Sequence, residues 1–245
     1  MNPGAVVRDA DVPVQRTAGG VCTRILLDTG PGIAGLTRRL VDVPAKALLD
    51  GTAAAAGELW YVIEGAGALD IDNHARLPLS PDTGAWIPAG SRYRVQAGEP
   101  AGLRLDTVAL PARADSKGAT GEPEGDRGLA AGPLTRRLRD CDVETTGDRE
   151  FRVVFGPGRG CSVATQFVGH IPPGRAPDHS HPYDEIVLIL QGEGTAHIGG
   201  AEHVLSQGSC LHLPPGLVHC LENTGPGLMR VLGVFHPADS PAAKL

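Results

Sequence analysis

No run of apolar residues in this 245-residue chain approaches the roughly 20 that a membrane-spanning helix needs. The N-terminus, MNPGAVVRDADVPVQ, lacks the basic-then-apolar layout of a secretion signal. No Lys/Arg stripe stands out against a formal net charge of −6, which argues against nucleic acid or an anionic membrane as partner. The five cysteines, Cys22, Cys141, Cys161, Cys210 and Cys220, are odd in number and form no CxxC pair, so neither a disulfide framework nor a thiolate zinc site is indicated. A reduced, cytoplasmic protein is the expectation. The GPG turns and the GEG stretch lack a following helix and do not read as phosphate loops.

What the chain has in quantity is turn chemistry. Its 34 glycines and 21 prolines are spread between short apolar runs, the pattern of an all-β protein. The second half also repeats the first with a shift of about 126 residues. TGPGIAG (29–35) meets FGPGRGC (155–161), and ELWYVIEG (58–65) meets EIVLILQG (185–192). AWIPAGSRY (85–93) meets LHLPPGLVH (211–219). GLRLDTVALP (102–111) meets GLMRVLGVFHP (227–237), with Arg104 on Arg230. Two small antiparallel barrels or jelly rolls are expected, over about 20–111 and 140–238. As domains, this gives 1–111, a polar flexible linker at 112–133 and 134–245. LTRRL at 36–40 and again at 134–138 falls outside the repeat register and reads as coincidence.

The chemistry gathers in GRAPDHSHPYDEIVLILQG, residues 174–192. His179 and His181, one residue apart on extended chain, face the same way. Glu185 opens the next strand with Val187 and Ile189 on its face, and Ile186, Leu188 and Leu190 on the other. His219 follows a Pro-Gly turn in GSCLHLPPGLVHCLEN. Three imidazoles and a carboxylate suit a divalent transition metal.

These residues resemble the cupin family. Gly174, His179, His181, Glu185 and Gly192 fit its first motif, and Gly208, Pro214, Gly216, His219 and Asn223 fit its second. The whole chain looks like a bicupin, with two tandem double-stranded β-helix barrels. The resemblance makes His179, His181, Glu185 and His219 the ligands of one metal ion per chain, iron, manganese, nickel, zinc or copper, with Glu185 also catalytic. Counting back from Glu58 in the N-terminal copy puts Thr52 and Ala54 at the histidine positions, and Tyr93 stands for His219. Only Glu58 is kept, so the first barrel is expected to be structural, covering or dimerising, with Trp60, Tyr61 and Trp86 as packing residues.

Gln166 and His170, on one face of the preceding strand, together with His197 and His212, are candidate substrate contacts. The implied function is a metal-dependent enzyme on a small enolic, phenolic or keto-acid compound. A dioxygenase in the manner of quercetinase-like cupins ranks first. A non-oxidative isomerase, decarboxylase or lyase, akin to the bicupin of the bacilysin pathway, ranks second, and a non-catalytic binding protein third. Oxalate decarboxylases rank low because they are longer and carry ligands in both barrels. Ureidoglycine aminohydrolases rank low because their glutamate precedes the histidines. A small-molecule substrate and a homodimer complete the expectations.

Overall fold

The computed structural model describes residues 6–28, 35–72, 74–111 and 132–241. Most of the expected linker, 112–131, and residues 29–34 of the first GPG turn lie outside them. The described chain is built from β-strands and two single-turn 3₁₀ segments, Asp9–Asp11 and Leu138–Asp140. It forms the two expected double-stranded β-helix barrels. Each barrel has one seven-stranded and one four-stranded antiparallel sheet.

In the C-terminal barrel the large sheet runs, in order, Val6–Arg8, Ser209–Leu213, Asp184–Gln191, Met229–His236, Thr165–Ile171, Arg149–Phe155 and Glu144–Thr146. Its small sheet runs Gly174–Arg175, His219–Asn223, Gly194–Ile198 and Ala201–Leu205. The N-terminal large sheet has the same plan, from Thr135–Arg137 through Thr83–Ile87, Glu58–Gly65, Leu103–Ala109, Thr37–Val43 and Cys22–Asp28 to Gln15–Arg16. The two first-named strands are exchanged. Val6–Arg8 bonds to the C-terminal sheet, with Val6 opposite Leu211, and Thr135–Arg137 bonds to the N-terminal sheet, with Thr135 opposite Ala85. Hydrogen bonding therefore does not follow a division at 1–111 and 134–245. Each exchanged strand covers a sheet edge that would otherwise present unpaired amides.

Strand alternation separates two cores. Val187, Ile189, Leu211 and Leu213 point into the C-terminal barrel. Ile186, Leu188, Cys210 and Leu232 point outward and pack against Leu40, Leu59, Tyr61 and Trp86 of the other barrel. The large sheets thus stack face to face with both faces buried. Trp60, Tyr61 and Trp86 are all packing residues, as expected.

One polar knot crosses the seam. Arg38 and Asp106 are fully buried, with Nε and Nη2 donating to the carboxylate at 2.7 and 3.1 Å. The same guanidinium donates to the carbonyls of Ile186 and Leu232 in the other barrel, each at 3.1 Å. Gln166 is its register counterpart, lying opposite Val234 as Arg38 lies opposite Val108. Its amide donates the other way, to the Trp60 carbonyl at 3.3 Å.

Candidate metal centre

The histidines are placed by backbone before side chains are considered. His179 and His219 exchange both amide hydrogen bonds, at 3.0 and 2.8 Å, and the His181 carbonyl accepts from Gly216 at 2.8 Å. The motif glycines Gly174, Gly192, Gly208 and Gly216 all have positive φ, which explains why glycine stands there. Asn223 closes the following turn. Its side-chain amide donates to Ile171 and Gly227, and its carbonyl accepts from Gly225.

Each imidazole then has its Nδ1 occupied. His179 Nδ1 lies 3.0 Å from the Pro177 carbonyl and His219 Nδ1 lies 2.7 Å from that of Leu217. His181 Nδ1 lies 3.0 Å from the Tyr183 hydroxyl, which donates its own proton to the Ser240 carbonyl at 3.2 Å. All three contacts suit an Nδ1–H, the tautomer that turns each Nε2 toward the shared point. The ligand atoms of the three histidines lie within 4.8 Å of one another. Glu185 Oε2 is 3.4 Å from His181 Nε2 and 3.5 Å from His219 Nε2. Ligands bound about 2.0–2.2 Å from a shared ion stand roughly 3–3.5 Å apart. The donor set therefore fits a divalent ion, and its composition does not select one metal.

The electrostatics agree. Burial, reinforced by the neighbouring imidazoles, pushes His179 down to about 4, so it is neutral near pH 7. His219 is raised: burial opposes its charge, but the hydrogen bond and charge of Glu185 outweigh that. Tyr183 is raised chiefly by burial and keeps its proton.

The centre opens on a cavity of about 200 Å³, with Val187 and Leu213 among its apolar walls. The four candidate substrate contacts fare differently. His170 touches the cavity edge, although its cross-strand neighbours are Glu150 and Arg230. The other three face away from it. Gln166 lies in the seam. His212 is buried on the outer face, with Nε2 2.8 Å from Asp184. His197 sits outside the small sheet, 2.8 Å from Glu222 and 3.4 Å from Glu202. Alternation paired these residues with the right neighbours but could not say which buried face was the barrel interior. Sequence reasoning missed Tyr183, whose signal was its place two residues after His181. It also missed Arg149, Phe151, Phe167 and Phe235, which line the cavity from strands distant in sequence.

In the N-terminal barrel, Glu58 occupies the register position of Glu185: it lies opposite Ala109 and Ile87, as Glu185 lies opposite Phe235 and Leu213. Its carboxylate accepts from Ala54 N at 3.1 Å and from Trp60 Nε1 at 2.7 Å. The residue opposite Tyr93 is Gly51, not the Thr52 obtained by counting back from Glu58. A Cβ at Gly51 would lie 2.3 Å from the Tyr93 hydroxyl, so the tyrosine ring requires glycine there.

Comparison with known proteins agrees with this architecture. No curated protein matches the chain. A serine-to-alanine mutant of Bacillus subtilis oxalate decarboxylase has a similar fold, with TM-score 0.78 and 14% identity over 100% of this chain and 80% of that one. A tryptophan-to-tyrosine mutant of the same enzyme gives TM-score 0.74 and 15% identity over 96% and 78%. Residues 167–235, which include all four candidate ligands, match the family described as Cupin domain.

Proposed function

We propose that this protein is a metal-dependent enzyme whose single centre, held by His179, His181, Glu185 and His219, acts on a small organic compound in the adjoining cavity. The observation that supports this reading is the convergence of three imidazoles and one carboxylate on one point, with every Nδ1 hydrogen-bonded on the far side. A bound divalent ion would supply a Lewis acid beside the substrate, with positions left open by the four protein ligands. The chain does the rest. The paired backbones of His179 and His219 hold two ligands in place, and Tyr183 fixes the tautomer of the third. Val187 and Leu213 help to keep water from the reacting group. Glu185, which approaches two imidazoles, is the carboxylate placed to orient or exchange a proton there.

For the reaction class we favour a non-oxidative route: decarboxylation, isomerisation or lyase chemistry. Its support is the fold shared with oxalate decarboxylase, an analogy of architecture only. The dioxygenase reading, which ranks first on the sequence, gains nothing comparable from the cavity or from the fold neighbours and stands second. The test is turnover of keto-acid, enolic and phenolic compounds by protein reconstituted separately with Mn(II), Zn(II), Fe(II) and Ni(II), with and without oxygen. Turnover under argon supports the non-oxidative route. Turnover only with oxygen and a redox-active metal gives the dioxygenase. Ligand binding without turnover in any condition leaves a binding protein.

A further inference from the structure

We infer that the cavity beside the centre is built for a small carboxylate bearing an aromatic ring, with Arg149 holding the carboxylate and a phenylalanine wall holding the ring. This rests on the proposed function only in placing the substrate in that cavity.

The wall comes first. The chain has four phenylalanines, and three of them, Phe151, Phe167 and Phe235, line this one cavity. All three are buried. The Phe167 and Phe235 centroids lie 4.8 Å apart at 42°, and those of Phe151 and Phe167 lie 6.5 Å apart at 82°. Rings set at such angles offer both faces and edges to a further ring. A volume of about 200 Å³ is below the roughly 300–1,000 Å³ of drug-sized pockets, which limits the guest to about one ring with a short chain.

The head group follows from charge. Arg149 is the only Arg or Lys among the residues lining this cavity, whose carboxylates are Asp148, Glu150 and Glu185, so an anionic group has one place to dock. One of its N–H groups donates to the Leu221 carbonyl at 2.8 Å, and among the described residues no carboxylate comes within ion-pair distance. A guanidinium has five donors in a fork that matches a carboxylate. Burial is the main influence on this one and disfavours its charge, with Asp148 opposing. A partly desolvated guanidinium with no carboxylate at ion-pair distance keeps donors that an anion in the cavity can take. Leu221 stands two residues from His219 along the strand His219–Asn223, about 7 Å. A carboxylate on Arg149 therefore leaves room for a short chain to reach the metal centre while the ring lies on the phenylalanines.

The experiment is calorimetric titration, checked by ligand-observed NMR, with three probes: 3-phenylpropanoate, its neutral amide, and propanoate, which lacks the ring. Metal-free and Mn(II)-loaded protein are both titrated, so a carboxylate binding only to the ion is recognised. The expected result is that 3-phenylpropanoate binds at least roughly 10-fold more tightly than either comparator in both forms. Arg149→Gln should bring the acid close to the amide, and Arg149→Lys should keep part of the gap. Thermal melts verify that the variants fold, and the acid–amide comparison on the unaltered protein needs no variant. Equal binding of acid and amide, a gap untouched by Arg149→Gln, or no acid binding at millimolar concentration overturns the inference. If metal fails to bind while the acid preference persists in metal-free protein, only the metal reading falls. If metal binds and the preference is missing, only this inference falls.

Discussion

The two barrels hold a glutamate at the same register position and use it in opposite ways. In the C-terminal barrel Glu185 lies beside the imidazoles of His181 and His219 at the wall of a cavity. In the N-terminal barrel both oxygens of Glu58 are spent on the Ala54 amide and the Trp60 indole. The difference is made by neighbours. Trp60 stands where the other barrel has Val187, and Tyr93 stands where it has His219. Their rings meet edge to face with centroids 4.7 Å apart and fill the space that the second barrel leaves open. A shared backbone plan thus yields a centre or a packed core according to a few inward side chains.

The largest effect is expected at the seam between the barrels. Arg38→Ala strands the buried Asp106 charge and removes the guanidinium's bonds to the Ile186 and Leu232 carbonyls. It should cost about 3–5 kcal/mol in denaturant unfolding. Its register counterpart, Gln166→Ala, removes one neutral hydrogen bond and should cost about 1 kcal/mol. Equal costs would mean that the two positions are not used as differently as their contacts indicate.

Next comes the filling of the first barrel. Trp60→Val should destabilise by about 3–5 kcal/mol, because a fully buried ring is replaced by a void. It should create no metal site, since Gly51 and Tyr93 stand where the second barrel has His179 and His219. Metal bound by this variant beyond the wild-type amount would break the comparison.

The two glutamates give a sharper, smaller contrast. Glu58→Gln turns an acceptor toward two N–H groups into a half-donor and should cost about 1–3 kcal/mol of stability, with metal binding unchanged. Glu185→Gln should weaken metal binding and change the melting temperature of metal-free protein much less. Titration of metal into both variants, alongside their melts, checks the pair.

The candidate ligands of the second barrel were legible because HxH, a glutamate four residues on and a histidine after a Pro-Gly turn are local patterns. The barrels were legible because hydrophobic alternation recurs with a constant offset. The inward face was not. Gln166 and His212 lie on strands buried on both sides, and only the stacked partner sheet tells the interior from the seam. The exchange of Val6–Arg8 carried no signal, since three residues have no periodicity. The Gly51 register was hidden by a one-residue difference between the copies before Glu58.

The smallest effect concerns acid stability. His170 lies opposite Arg230 as Asp42 lies opposite Arg104, so the two barrels put an imidazole and a carboxylate at one position. Burial, then the Arg230 charge, lowers the His170 pKa below its ordinary value of 6.5. The unfolded chain therefore binds the proton more readily. Its contribution to stability is present above about pH 6.5 and is lost as pH falls toward the lowered folded value. His170→Gln should flatten that part of the stability–pH curve, and an unchanged slope would refute this assignment.

The central claim is one metal centre per chain, in the second barrel alone. Elemental analysis of untagged protein tests it most directly, with His179→Ala and Glu58→Gln measured beside the wild type. The account expects a stoichiometry near one in the wild type and in Glu58→Gln, and a loss in His179→Ala. A stoichiometry near two that His179→Ala leaves unchanged, or a loss on Glu58→Gln alone, would contradict it.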